Sequence, residues 1–171
     1  MLTDDTRKAL RATWITNNRV TTFLIENLTD EVWAAKVPGA PRRTVRMIAA
    51  HLHNNRCMWI RSVGTKQGVV SPAAVDRHEV SRPALVAALD GSSRGILAMI
   101  DAACAEDGRM PSAAWQNYPP EVVHFLAYHV AHEGHHRGQI VMLARQSGHR
   151  LPPAVTNGLW QWSKRAREGR A

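Results

Sequence analysis

Thiols, acids and sheet-like patterning are all scarce in this chain. Two cysteines, Cys57 and Cys104, cannot staple 171 residues. The fold must therefore be held by buried apolar surface, and both thiols are expected to be reduced, in a cytoplasmic protein. No uninterrupted apolar run approaches the roughly 20 residues that a bilayer-spanning helix needs, which argues against a membrane protein. The opening MLTDDTRKAL has acids where an export signal carries a basic end and an apolar core, so export is not expected. Acidic residues number 14 against 22 basic ones, leaving a net charge of +8 and a pI near 10.5. That charge is mostly arginine, scattered along the chain with one cluster in the terminal SKRAREGR. Without a recognition motif or an aromatic stacking module, specific DNA or RNA binding is not expected; the field suits small anionic ligands. Alternation of period two never persists long enough to build a sheet.

Helical periodicity fills the space that these absences leave. One segment runs from about Asp4 to Leu28, with Thr3 as its cap and Leu10, Trp14, Phe23, Leu24 and Leu28 available for a core. VPGAPRR breaks it, and Thr44 can cap a second helix reaching about Val63. After the loop that begins GTKQGVVSP, Ser81 can cap a third, with Pro83 tolerated in its first turn and an end near Glu106. DGRMPSAAW breaks again; Pro119-Pro120-Glu121 opens a fourth helix, which Gly148 stops. The expected class is all-α: a four-helix bundle over residues 1–148, with residues 149–171 as a short extension packed on the same domain. That extension has room for one short helix carrying Trp160 and Trp162. The long second connection can cross the bundle end, so simple up-down topology does not follow.

The fourth segment contains His132-Glu133-Gly134-His135-His136, which satisfies H-E-x-x-H, the zinc-peptidase signature. At about 100° per residue, Val122, Phe125, Leu126, Ile140, Leu143 and Ala144 share one arc. His129, His132 and His136 fall inside it, and His124 and His135 outside. A buried imidazole needs a partner for its polar nitrogens. A lone one is ordinarily satisfied by a neighbouring side chain, but two stacked one turn apart favour a metal. The extended peptidase pattern would need Gly at 139 and His at 142, where the chain has Gln139 and Met142. The only downstream carboxylate is Glu168, and His149 would have to fold back. Glu133 itself is turned about 100° from His132 toward the helix flank, where an ion pair with Arg137 at the surface is its plain reading. The peptidase reading fails on these grounds.

The second segment offers the missing ligand. Val45, Met47, Ile48, Leu52, Met58 and Trp59 share an apolar arc that includes His51. His53 points the other way, with Cys57 one turn on, so that pair is not expected to serve. His51, His132 and His136 then make a three-histidine site between two facing helices, with one coordination position open. Gln139, about 20° from His132, and Tyr128, about 40° away, are placed to orient an imidazole or bind a ligand. His129 is a fourth ligand, a proton carrier or core. Gly134 and Gly138 permit close approach of another helix. Histidines suit zinc, nickel, copper and iron alike.

AHLHNNRCMWI in the second segment and HEGHHRGQI in the fourth resemble the DinB-like (YfiT-like) metal-binding four-helix bundles. The helix order and spacing match over most of residues 4–147. That resemblance implies a divalent metal, often zinc or nickel, on His51, His132 and His136, usually in a homodimer. Its members include thiol S-transferases using bacillithiol or mycothiol, isomerases and hydrolases. Where many relatives carry a Glu-Arg pair in the second helix, this chain has Arg56-Cys57. The expected function is metal-dependent small-molecule chemistry, foremost transfer of a thiol to an electrophile. A basic mouth of Arg137 with Arg42 or Arg43 would attract the thiol's carboxylates. The alternatives are a metal-dependent hydrolase, with His129 or Tyr128 as base, and a non-catalytic metal- or ligand-binding protein.

Overall fold

A computed structural model describes residues 2–111 and 117–169. The second half of the break after Asp107 and the last arginine of the terminal cluster, Arg170, lie outside the described residues. The chain is mostly helical. It runs α1 (Asp4–Glu26), α2 (Asp30–Ala34), β1 (Lys36–Val37), β2 (Ala40–Thr44), α3 (Val45–Ser62), a 3₁₀ turn (Gly64–Gln67), α4 (Arg82–Ala105), α5 (Val122–Gln146), α6 (Pro153–Gly158) and α7 (Trp162–Glu168). Three of the expected caps form: the hydroxyls of Thr3, Thr44 and Ser81 accept from the backbone N–H of Thr6, Met47 and Ala84 at 3.2, 3.3 and 3.3 Å. Gly148, at φ +82°, ends α5, and the N–H of His149 closes back on the Ala144 carbonyl at 2.9 Å.

Several local features escape periodicity. The first helix stops at Glu26, and Thr29 caps the five-residue α2, which buries Val32 and Trp33. VPGAPRR is a hairpin turn and strand, not a plain break: Val37 pairs with Ala40 across Pro38-Gly39, with Gly39 at φ +74°. Strands of two and five residues are too short to show alternation. The tail holds two short helices, with Trp160 between them and 83% exposed. Met58, expected in the core, is 45% exposed.

The four long helices pack α1 against α4 and α5, and α3 against α4 and α5. Two apolar clusters occupy opposite ends. Leu10 and Trp14 of α1, Trp59 and Ile60 of α3, Ile96 and Ile100 of α4 and Phe125 of α5 form one. Leu24 and Ile25, Ile48 and Leu52, Leu85 and Leu89, and Ile140 and Ala144 form the other. The order of these residues fixes direction: α1 and α5 run from the first cluster to the second, α3 and α4 the reverse. Since α3 and α4 are parallel, the segment between them must return along the molecule. It does so on α3: Ser71 donates to the Cys57 carbonyl at 3.0 Å, His53 Nε2 lies 2.9 Å from the Ala73 carbonyl, and Asn54 exchanges two hydrogen bonds with the Val75 backbone at 2.9 and 3.0 Å. The helical spacing puts His53 and Cys57 on the face turned away from the apolar arc of α3, and the return strap covers that face. Both are fully buried beneath it, with His53 Nδ1 3.1 Å from Ser92 Oγ.

Candidate metal centre

Midway between the two apolar clusters the core turns polar. Asn17, Asn18 and Thr21 of α1, Arg56 of α3, Ser92 and Ser93 of α4, and Glu133 and Arg137 of α5 are all buried there. Glu133 Oε1 accepts from Arg56 Nε at 2.7 Å; its Oε2 accepts from Asn17 at 2.9 Å and Thr21 at 2.7 Å. Arg56 also donates to Asn18 Oδ1 at 2.7 Å and the Leu89 carbonyl at 3.0 Å, and its guanidinium lies over the Trp14 ring at 4.7 Å. Arg137 donates to Asn17 at 3.0 Å and Thr21 at 2.7 Å, 3.7 Å from Glu133. Burial pushes the Glu133 carboxyl up, but the Arg56 and Arg137 charges and these donors hold it below its usual range.

This arrangement overturns the surface ion pair expected for Glu133 and Arg137, and removes Arg137 from any basic mouth. Because α5 packs on α1 and α3 together, a side chain turned about 100° from His132 meets α1 instead of water. Arg56 and its α1 partners were missed because mid-helix polar residues read as solvent-facing. The available signal was an arginine at helical spacing from Leu52, Trp59 and Ile60.

At the same level of the molecule, on the opposite flank of α5, three imidazoles converge. His132 Nε2 lies 3.2 Å from His51 Nε2 and 3.2 Å from His136 Nε2, and one donor nitrogen from each ring falls within 4.8 Å of the others. His136 is buried, His132 partly buried, and His51 open to solvent. Gln139 orients the set. Its Nε2 donates to His135 Nε2 at 2.9 Å, which turns its Oε1 to accept from His136 Nδ1–H at 2.8 Å. His136 Nε2 is then a bare lone pair facing His132.

His132 Nε2 carries at most one hydrogen, so it cannot satisfy both neighbours by hydrogen bonding. A cation resolves the conflict. Nitrogens bound to zinc at about 2.0–2.1 Å in tetrahedral array stand about 3.3–3.4 Å apart, close to the 3.2 Å spacing found here. Burial, then the neighbouring histidine charges, pushes His132 down to about 4. Burial first, with the Arg43 charge adding to it, also lowers His51 and His136. All three rings are thereby neutral donors near pH 7, and the donor set fits a divalent metal.

Tyr128 stacks on His132, with centroids 5.7 Å apart and planes at 17°, and its hydroxyl accepts from Trp59 Nε1 at 3.3 Å. His129 is fully buried among Trp14, Phe125 and Tyr128, and is not brought into the cluster of three. Neither of its nitrogens has a hydrogen-bond partner among the described residues. Glu133, the residue a peptidase would use as base, has its carboxylate spent on Arg56, Asn17 and Thr21.

No curated protein and no solved structure matches the chain. The model of the DinB family matches residues 1–168, that is, the helices, both motifs and most of the tail. On that match the chain belongs to the DinB family.

Proposed function

We propose that this protein is a metal-dependent enzyme of small-molecule chemistry, built as a four-helix bundle, in which His51, His132 and His136 hold zinc or nickel and the reaction is transfer of a thiol to an electrophile. One observation carries the reading: three imidazole nitrogens within 4.8 Å of one another, with the His51 ring partly exposed at the rim. A divalent cation bound there supplies the positive charge that favours a thiolate over a thiol. The chain's own residues do the rest. Gln139 holds the His136 tautomer, Tyr128 stacks against His132, and the aromatic wall of Tyr128 and Trp59 restricts water on that side. Hydrolysis by the same site would need a base beside the open position: His129 is fully buried outside the cluster of three, the Tyr128 hydroxyl accepts from Trp59, and Glu133 is held by Arg56 and Thr21.

Elemental analysis of the purified protein and of His51→Ala is the first test. About one metal per chain is expected, falling to a small fraction in the variant; full retention by His51→Ala would remove this residue from the site. Turnover of thiols with monochlorobimane by the loaded protein is expected, and a blank across the whole thiol panel would sink the transferase reading.

A further inference from the structure

Beside His51 opens a groove of about 710 Å³ whose walls include Arg42, Arg43, Met47, Asn54 and Arg77. Three arginines line it, and no acidic side chain does so among the described residues. Arg42 and Arg43 stand on β2, directly before the Thr44 cap of α3. Both are exposed, and neither has an ion pair among the described residues. Arg77 comes from the return strap, where its Nε donates to His78 Nε2 at 3.3 Å.

The groove is built, not accidental. Asn54 spends its whole amide on the Val75 backbone, and Arg46 donates to the His78 carbonyl, so the strap carrying Arg77 is tied to α3 on both sides of that residue. The β1–β2 hairpin carries the other two arginines to the same end of α3. Three arginines lining one groove without a carboxylate add their charges to a single positive field. An anion entering the groove would be drawn by that field and held by guanidinium donors.

We infer that this groove is an anion-binding subsite, taking a carboxylate or phosphate group of a small molecule whose opposite end reaches the His51 rim. The anion site stands on the arginines alone; only the claim that the far end reacts rests on the metal reading above. Guanidinium forks suit both carboxylate and phosphate through paired N–H donors.

The test is calorimetric titration of the full chain, as purified, with succinate and separately with inorganic phosphate at low ionic strength. Saturable binding of at least one is expected, weakening steeply as salt rises. In Arg42→Ser/Arg43→Ser/Arg77→Ser the affinity is expected to fall ten-fold or more, and in Arg77→Ser alone by a few-fold, with helical circular dichroism unchanged. A control losing equal charge elsewhere, Arg145→Ser/Arg150→Ser/Arg167→Ser, is expected to bind within about two-fold of the parent, since those residues lie outside the groove. Whichever probe binds tighter identifies the class. His132→Ala separates the two readings: it is expected to lose the metal yet keep anion affinity. Binding that vanishes with His132→Ala would put the anion on the metal and overturn the subsite. So would equal weakening in the control, or no saturable binding of either probe, even if the metal analysis succeeds.

Discussion

Glu133 lies between two candidate metal ligands in sequence yet faces a different neighbourhood, and the difference is energetic. Its carboxylate is 1% exposed and Arg56 is fully buried, so each requires the other. Removing one partner of such a pair costs about 3–5 kcal/mol, because a buried charge is left uncompensated. Glu133→Ala is therefore expected to lose that much stability in urea unfolding, with Glu133→Gln losing less because it still accepts from Thr21 and Asn17. A loss under 1 kcal/mol would show that water reaches the site.

His129 makes the opposite case, a buried base whose nitrogens have no hydrogen-bond partner among the described residues. Burial lowers it to about 3; the Glu133 charge pulls it back up in part, and the Arg56 and His132 charges add to the lowering. Its unfolded value is about 6.5, so above that pH neither state holds the proton, below about 3 both do, and the two differ only in between. As pH falls from about 6.5 toward 3 the unfolded chain takes up a proton that the folded one refuses, and stability drops by about 1.4 kcal/mol per pH unit from this ring. His129→Leu is expected to flatten the stability profile between about pH 6 and 4 by that slope. An unchanged profile in urea series at several pH values would mean that the ring is hydrated.

Helix α5 carries three faces, and that explains both what its pattern revealed and what it hid. Its apolar arc was legible because Val122, Phe125, Leu126, Ile140, Leu143 and Ala144 recur at helical spacing, and all six are buried. Its second face meets α1 through Glu133 and Arg137, which no periodicity announces. On the third, a Cβ on Gly138 would meet nothing within 4 Å, and one on Gly134 only the tip of Arg137 at 3.7 Å. These glycines line a groove that Thr156, Leu159, Trp160 and Trp162 of the tail wall on one side, and Met142 and Trp160 there are 52% and 83% exposed. We propose that this face closes against a second copy, as the homodimer expectation requires. Gly134→Leu/Gly138→Leu should then sediment as a folded monomer where the parent sediments as a dimer; a parent that is itself monomeric at all concentrations would refute the idea. Helix α4 passes the length and composition test for a membrane span, with half of its apolar window buried in the packing. Its Leu85, Leu89, Ile96 and Ile100 are fully buried.

Across the protein, metal binding and folding are linked, because the candidate ligands come from two separate helices, α3 and α5. A ligand that binds only the folded state stabilises it by about 2.7 kcal/mol at a hundred-fold excess over Kd. Zinc or nickel is expected to raise the melting temperature by several degrees, with chelator reversing the shift and His132→Ala abolishing it. A shift that survives in His132→Ala would place the cation elsewhere.

The helices, three of their caps and the inward stripe of α5 could be read from the chain alone, since backbone propensity, capping and helical period are local and repeat within a few residues. His51, His132 and His136 could be nominated in the same way, by one-turn spacing and a shared arc. Their convergence on a common point depends on how α3 lies against α5. The burial of Glu133 with Arg56, the covering of His53 by the return strap, and the gathering of Arg77 with Arg42 and Arg43 depend on packing too. Those arrangements join residues 20–116 positions apart, and no local pattern records which distant side chain will share a low-dielectric interior. Only the packing of helices on several faces decides that, because burial there turns a polar residue from a surface feature into one that must find its partner.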